Sequence, residues 1–305
     1  MDYMWRQMTK LRIKDTTLST MYVPWDKSKI AASDLQDGEQ SKTLDNGVED
    51  TIRAIYTCMD FADFDSVKFI TSKEVIDIRG EDLLQDGIVC EEPSIPITNM
   101  KDYARFMIYH LTEHVDTNYT LTIQHDGFIV NPDQWRDEYY DYDYIGAPWP
   151  HFQSHNVGNG GFSLRSKALV ESVQNFLLPS DLSEAEDVVV CRYLRSRLED
   201  KCGLTFAPLS IAETFAYEMK RTKLETFGFH GVFHLPEVMQ DDIETLFDVI
   251  HPHSVAKHFR SFRDACNKLP ADGQRLFHNY CSNNMAAMIT QAKTIAKEQF
   301  LASSS

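Results

Sequence analysis

The stretch Tyr119–Pro132, YTLTIQHDGFIVNP, governs how the rest of the chain is read. Its opening residues, YTLTI, are mostly β-branched or aromatic and predict a strand. The run ends abruptly at Gln124–Gly127, where Asp126 followed by Gly127 predicts a tight turn, because Asp bonds to nearby backbone and Gly accepts the dihedral angles that turns require. In sheets built from parallel strands, ligands gather beyond the carboxyl ends of the strands, so this turn stands where chemistry is done.

Working upstream, Tyr103, Phe106, Met107, His110 and Leu111 recur at helical spacing and predict an amphipathic helix leading into that strand. Farther back, Thr16–Val23 is β-rich and predicts another strand. The polar stretch that follows, up to Asn46, predicts a long loop. Val48, Ile52, Ile55, Tyr56 and Met59 predict a helix, with Asp45 and Asn46 as caps, and Val67–Thr71 (VKFIT) is an apolar run of the kind buried in parallel sheets. Strand, helix and strand in succession imply an α/β domain.

Downstream, residues 137–150 (DEYYDYDYIGAPWP) are dense in Asp and Tyr. The segment Val157–Ser166 (VGNGGFSLRS) then brings a Gly-rich backbone, able to approach a ligand closely, ahead of a further strand. Ser183–Glu186 (SEAE) fits a capping box and opens a helix whose apolar face includes Val188, Val189, Tyr193 and Leu194, with Asp187 in its first turn. A short strand and loop are expected over Leu204–Ile211, followed by GFHGVFHL around His230. The end of the chain reads as helical: Val255, Phe259, Phe262 and Cys266 share one face, and Lys257, Arg260 and Arg263 the other. The expected organisation is one α/β domain over residues 1–251 and a C-terminal helical extension with a basic face over 252–305.

Composition narrows the classes. Of 305 residues, 43% are hydrophobic and 25% charged, as in globular proteins and unlike disordered ones. No run of about 18 apolar residues offers a membrane span, and the first ten residues lack an apolar signal-peptide centre, so a cytosolic protein is expected. The six cysteines are scattered singly and predict buried free thiols. The net charge of -16 disfavours a polyanionic partner overall. It is unevenly spread: Ser254–Lys297 carries seven basic and two acidic residues, net +5, leaving -21 elsewhere.

Carboxylates and a histidine placed beside tight turns are the residue types that bind a divalent ion to neutralise a charged ligand and that take a proton from a hydroxyl. Asp126, at a strand end, is a hard oxygen ligand, and His230, between Gly228 and Gly231, can complete the coordination. Asp187, or Glu186 beside it, is a candidate base. Each residue also has a plainer reading. Asp126–Gly127 is an ordinary turn pair, Glu186 a capping residue, Asp187 a partner of the helix dipole, and the Tyr cluster with Trp149 core. Gly158–Gly161 lacks both GxGxxG and GxxxxGK, which disfavours a dinucleotide or P-loop site. His230 and His234 flank a glycine, which disfavours a helical zinc pair.

The ordered set, QHDGFIVNP, YDYIGAPW, GNGGFSLRS, EDVVVC and GFHG, resembles an uncharacterised domain family generally filed with the glycosyltransferases. It is also similar, motif by motif, to inverting transferases of the GT-A fold such as the galactosyltransferase and fringe-like group. The similarity runs over about Tyr119–Leu235. It implies a GT-A-like mixed sheet flanked by helices, with a UDP-sugar or other nucleoside-diphosphate-sugar as donor. It places Asp126 at the family's metal-binding acidic triplet, Asp187 at its general base and His230 at its late metal-binding histidine, with Mg2+ or Mn2+ as the ion. The triplet here reads His125, Asp126, Gly127, so one carboxylate stands where two or three are usual. Three alternatives follow: weak metal affinity, His125 as a further ligand, or basic residues and helix dipoles facing the diphosphate without a metal. Trp149, Asn159, Gly160, Gly161 and Arg165 are expected to shape the sugar and acceptor pocket. The acceptor is a glycan, a protein, or a hydroxymethylated base in DNA as in phage-type glycosylation, with residues 254–297 gripping the duplex. In the last case the setting is bacterial or host-cell cytosol. A non-catalytic carbohydrate- or nucleotide-binding module with a degenerate site is the competing expectation.

Overall fold

The computed structural model describes residues 10–24, 46–176, 184–219 and 225–303. Their central element is a six-stranded mixed sheet built from β1 (Thr16–Met21), β2 (Ser66–Ile70), β3 (Val89–Glu91), β4 (Tyr119–Ile123), β5 (Tyr144–Gly146) and β6 (Phe162–Ser166). The spatial order is β3-β2-β1-β4-β6-β5. The first four run parallel, and β6 is antiparallel to both β4 and β5. Helices flank the sheet in sequence, including α1 (Asn46–Phe61), α2 (Lys73–Gln85) and α3 (Met100–Tyr109). The mixed sheet with flanking helices expected from the sequence is therefore what the chain builds.

The strand residues explain the sheet. β1 is buried at every position although four of its six residues are Thr or Ser. The β-branched threonines suit a pleated surface, and two of the hydroxyls find partners, Ser19 with Thr120 at 2.7 Å and Thr17 with Thr117 at 2.7 Å, whereas Thr20 Oγ1 is buried without one. Leu18, Phe69, Leu121 and Leu164 supply fully buried apolar contacts. α3 starts where Asn99 Oδ1 accepts from the N–H groups of Lys101 and Asp102, and it buries Ala104, Phe106, Met107 and Ile108.

β1 is the point at which the chain reverses its path across the sheet. The connections through β2 and β3 build outward on one side, whereas β4 docks on the other. The crevice outside the carboxyl ends of β1 and β4 is thus a topological switch point, and the Gln124–Gly127 turn follows β4 there.

Several expectations are corrected. Ser183 lies outside the described residues. Ala185 occupies the N-cap position with no side-chain cap bond, and Glu186 is committed to Arg165. The helix that follows does not keep a regular period: Glu186–Val188 passes into a π-helical turn over Val189–Tyr193 before Arg195–Cys202. That extra residue rotates the face, so Tyr193 is 54% exposed and Cys191 is buried instead. Over Leu204–Ile211, Phe206 makes an isolated bridge with Tyr144, and a helix already begins at Leu209. The six cysteines are free as expected, but only Cys58, Cys191 and Cys266 are buried; Cys90 and Cys281 are half-buried and Cys202, in the last turn of its helix, is exposed. The polar stretch up to Asn46 lies mostly outside the described residues.

The chain divides into two compact units, one formed by the described residues of Met1–Leu44 and Thr51–His230, the other by those of Asp45–Asp50 and Gly231–Ser305. The second is helical, with Ile243–Val249, Pro252–Lys257, Phe259–Cys266 and the long Ala271–Ser303 among its elements. Leu246, Val255, Phe262 and Cys266 are fully buried in it, and Tyr280 donates its hydroxyl to the Ile250 carbonyl at 3.2 Å. Phe259 does not share the buried face: it is 38% exposed, because the helix is interrupted at His258 (φ -118, ψ 24) and the period from Val255 is lost. Among the described residues no helix is long and apolar enough to cross a membrane.

Truncating the centre of the sheet tests this architecture. Leu121→Ala is expected to cost roughly 2–5 kcal/mol, read as the fall in unfolding free energy in a denaturant titration.

Candidate functional site

The loop Gly158–Gly161, entering β6, draws two groups of side chains together. On one side lies the turn after β4, closed by reciprocal backbone bonds between Gln124 and Gly127 (3.3 and 3.0 Å). Within it, Asp126 Oδ1 stands 3.4 Å from His230 Nε2 and 3.9 Å from His125 Nε2. That oxygen is buried and has no hydrogen-bond donor, since the contact with His230 has ion-pair distance but not hydrogen-bond direction. Burial acts to raise the Asp126 carboxyl, yet His125 and His230 outweigh it and hold it well below the usual carboxylate range.

His230 is gripped on both ring nitrogens. Its Nδ1 lies 3.2 Å from Glu218 Oε1 and 2.9 Å from Asn159 Nδ2, and its Nε2 lies 3.2 Å from Gln124 Oε1. Two demands compete at Nδ1, because Glu218 needs a ring N–H whereas Asn159 can donate only to a bare nitrogen. Burial works against the imidazolium, but Asp126 and Glu218 together prevail and raise the ring to about 10. Asn159 itself adopts φ +67, and its Oδ1 accepts from the N–H groups of Gly161 (3.1 Å) and Phe162 (3.3 Å), so this residue sets the shape of the loop.

On the other side of the loop stand Glu186, Asp187 and Arg165. Asp187 Oδ2 accepts from Gly160 N–H at 2.9 Å and its Oδ1 from Val188 N–H at 2.8 Å. Burial, with the neighbouring Glu186 charge, raises its carboxyl to about 6 against the opposing effect of these donors and Arg165. Glu186 Oε1 accepts from Arg165 Nη2 at 3.0 Å, both side chains being buried.

The loop can pass between these groups only because Gly160 and Gly161 lack side chains. A Cβ on Gly161 would collide with the His230 ring, and one on Gly160 with Glu186 Oε1. Gly127 likewise faces the Gly161 carbonyl, 2.7 Å from where its Cβ would stand. Of the residues expected at the site, His125, Asp126, Gly127, Asn159, Gly161 and His230 meet on one side of the loop, and Gly160, Arg165, Glu186 and Asp187 on the other. Two of them take different work from that expected. Trp149 is 6% exposed and packs against Gly158 and Phe152 as a support for the loop. Arg165 is 3% exposed and engaged internally, not turned toward an acceptor pocket.

Other participants escape sequence reading. Arg53 on α1 donates to the His125 carbonyl at 2.7 Å and lies 4.9 Å over the Phe128 ring, steadying the turn. Tyr103 counts as an apolar-face residue of α3 in the pattern, yet its hydroxyl receives a hydrogen bond from Gln124 Nε2 at 2.9 Å. Glu218 has no motif around it, and only the folded chain brings it to His230.

The donor set bears on a metal. Asp126 Oδ1 and His230 Nε2 lie 3.4 Å apart, and the orphaned oxygen is of the hard type that small divalent ions take, so these two side chains would hold such an ion. A cation there would replace the Nε2 proton. Among the described residues no group of three His, Cys, Asp or Glu side chains is gathered for a metal, and Asp126 and His230 are the pair that would hold one.

Residues 89–230 match the model of a family described as a protein of unknown function (DUF5672). No curated protein matches the sequence. Among solved structures, the chain is similar to a glycosyltransferase involved in the glycosylation of the major capsid of PBCV-1, with 13% identity, 70% of this chain and 91% of that one covered, and a TM-score of 0.39. It is also similar to a putative glucose-1-phosphate thymidylyltransferase from Bacillus anthracis (12% identity, 63% and 86% covered, TM-score 0.37). A third is mouse xyloside xylosyltransferase 1 in its apo form (10% identity, 72% and 98% covered, TM-score 0.36). At these scores the likenesses carry no residue correspondence.

The loop's dependence on glycine is directly testable. Gly161→Ala is expected to cost about 1–3 kcal/mol of stability by overpacking and to shift the His230 ring nitrogen resonances; an unperturbed ring would contradict the contact.

Proposed function

We propose that this chain is a glycosyltransferase that moves a sugar from a nucleoside-diphosphate-sugar, such as a UDP-sugar, to an acceptor hydroxyl by direct inverting displacement. The observation that carries this reading is Asp187: a carboxylate held by two backbone N–H groups, raised to about 6, beside a glycine loop whose other side holds Asp126 and His230. A base poised near neutrality is what removal of a hydroxyl proton demands. Its place near the carboxyl ends of β1 and β4 suits a ligand crevice.

In the proposed reaction Asp187 takes the acceptor proton as the acceptor oxygen bonds to the anomeric carbon. The bond from that carbon to the diphosphate oxygen breaks, and its electron pair leaves with the nucleoside diphosphate. Asp126 and His230 would hold Mg2+ or Mn2+, which when bound neutralises charge on the leaving diphosphate. Gly160 and Gly161 let the loop backbone line the sugar pocket, and Asn159 holds that backbone in place. Residues 252–305 are an accessory helical extension, and a cytosolic setting forms part of the proposal.

A glycan or protein hydroxyl is the favoured acceptor. The net charge of -16 disfavours a polyanionic acceptor, and the +5 of the basic stretch already includes the exposed pairs Arg263–Asp264 at 2.8 Å and Arg275–Asp272 at 3.1 Å. Steeply salt-dependent binding to duplex DNA would reverse that preference in favour of a hydroxymethylated base. The single carboxylate of the His125–Gly127 triplet favours a second reading, a carbohydrate- or nucleotide-binding module without turnover. Thermal stabilisation by UDP-, GDP- or TDP-sugars with Mn2+, unaccompanied by nucleoside diphosphate release, would select it.

Asp187→Asn is expected to lower nucleoside diphosphate release about 100-fold or more, the scale of a lost general base. Equal rates in wild type and variant would remove Asp187 from that role. Because the base must be ionised, wild-type activity should fall as pH drops through about 6. Excess EDTA should abolish turnover, and full activity in its presence would remove the metal from the proposal.

A further inference from the structure

Glu186 and Asp187 are adjacent in sequence and both largely withdrawn from solvent, yet the fold treats them differently. Glu186, 5% exposed, spends Oε1 on Arg165. Arg165, 3% exposed, is engaged on every side: Nε donates to Ser163 Oγ at 3.0 Å, Nη2 reaches both Glu186 and the Gly160 carbonyl (3.4 Å), and the guanidinium lies 5.4 Å from the centre of the Tyr144 ring. Neither side chain has surface to present to an acceptor. Between them and Asp187 stands Gly160, whose carbonyl faces Arg165, whose missing Cβ makes room for Glu186 and whose N–H bonds Asp187.

We propose that Arg165 and Glu186 act as one positioning unit for Asp187, the buried pair clamping Gly160 and Gly160 N–H in turn fixing where the carboxylate stands. This deepens the glycosyltransferase reading and rests on it for the role of Asp187 as proton acceptor. Arg165 and Glu186 are positioning residues, and neither touches the reacting atoms.

The pair also sets the field at Asp187. The groups facing that carboxylate are Glu186 and Cys191 from its own segment, Arg165 from β6, Tyr144 from β5 and Tyr103 from α3. Burial pushes Tyr103, Tyr144 and Cys191 upward, so they are neutral at ordinary pH, and the full charges are those of the pair. Glu186 favours the protonated form of Asp187 and Arg165 the ionised form. Removing one charge or the other must therefore shift Asp187 in opposite directions, which loss of packing alone would not do.

The test uses the full chain labelled with 15N-glycine, thirteen residues in all, and follows the Gly160 amide from pH 4 to 8. This amide donates to Asp187 and reports its protonation. The wild-type midpoint should be about 6. In Glu186→Gln, which keeps an oxygen for Arg165, the midpoint should fall by about one unit, and in Arg165→Met it should rise. Unchanged midpoints, shifts of the same sign, or a wild-type amide that does not titrate would overturn the proposal. Should Arg165→Met not fold, the near-isosteric Glu186→Gln decides alone, a wild-type midpoint in that variant being sufficient to overturn it. Nucleoside diphosphate release is measured on the same samples. Its absence in wild type would bring down the glycosyltransferase reading while leaving the amide titration intact, so the two failures are distinguishable.

Discussion

The organisation of this molecule turns on the close passage of one backbone segment, Gly158–Gly161, between two groups of ionisable side chains. At each of its glycines a neighbour sits where a Cβ would be: Trp149 against Gly158, Glu186 against Gly160, His230 against Gly161. Packing in protein interiors is too dense to absorb an added methyl at such points without moving something. The loop is further pinned by Asn159, whose left-handed backbone and side-chain acceptor turn the chain into β6. Because one short segment touches both groups, the separation between the Asp126–His230 pair and Asp187 is set by backbone, the least adjustable part of the structure.

The sheet explains why that segment lies where it does. β4 is the strand at which the chain crosses to the far side of β1, and it pairs with parallel β1 on one edge and antiparallel β6 on the other. Its Ile123 is opposite Phe162, so the turn leaving β4 and the loop entering β6 are brought together by ladder register. A slip of one residue would send the alternating side chains to the wrong face, and buried residues on both strands prevent it.

Within this frame the charges are arranged so that neighbours of the same type behave differently. Asp126 is kept ionised by two imidazoles, whereas Asp187 is pushed upward by burial and Glu186. Two carboxylates with divergent environments are the arrangement from which acid, base and ligand roles are drawn, and this is the physical basis of the proposed sugar transfer. Buried ion pairs add little net stability on average but are costly to break singly, so the Arg165–Glu186 pair is better understood as a fixed element of the site than as a stabiliser.

Much of this was legible in the residues themselves. The βαβ start, α3 leading into β4, and the Asp-Gly turn follow from local periodicity and turn chemistry, which act between residues close in sequence. So does the glycine loop, since a run of small residues has few other uses beside a strand. What local pattern could not supply were facts of long-range geometry. The π-turn at Val189–Tyr193 breaks the helical period, so Tyr193 is exposed although its spacing reads as core. Glu186 fits a capping box in sequence, but a buried arginine 21 residues away competes for it more strongly than backbone N–H groups do. Trp149 and Arg165 become supports of the loop, and Tyr103, Arg53 and Glu218 reach the site from segments with no motif. The sequence by itself determined the kind of sheet, the turn and the candidate carboxylates, because those depend on near neighbours. Which carboxylate is paired, which is left poised near neutrality and what holds it there were decided only by tertiary structure, because burial and charge are properties of the assembled surroundings.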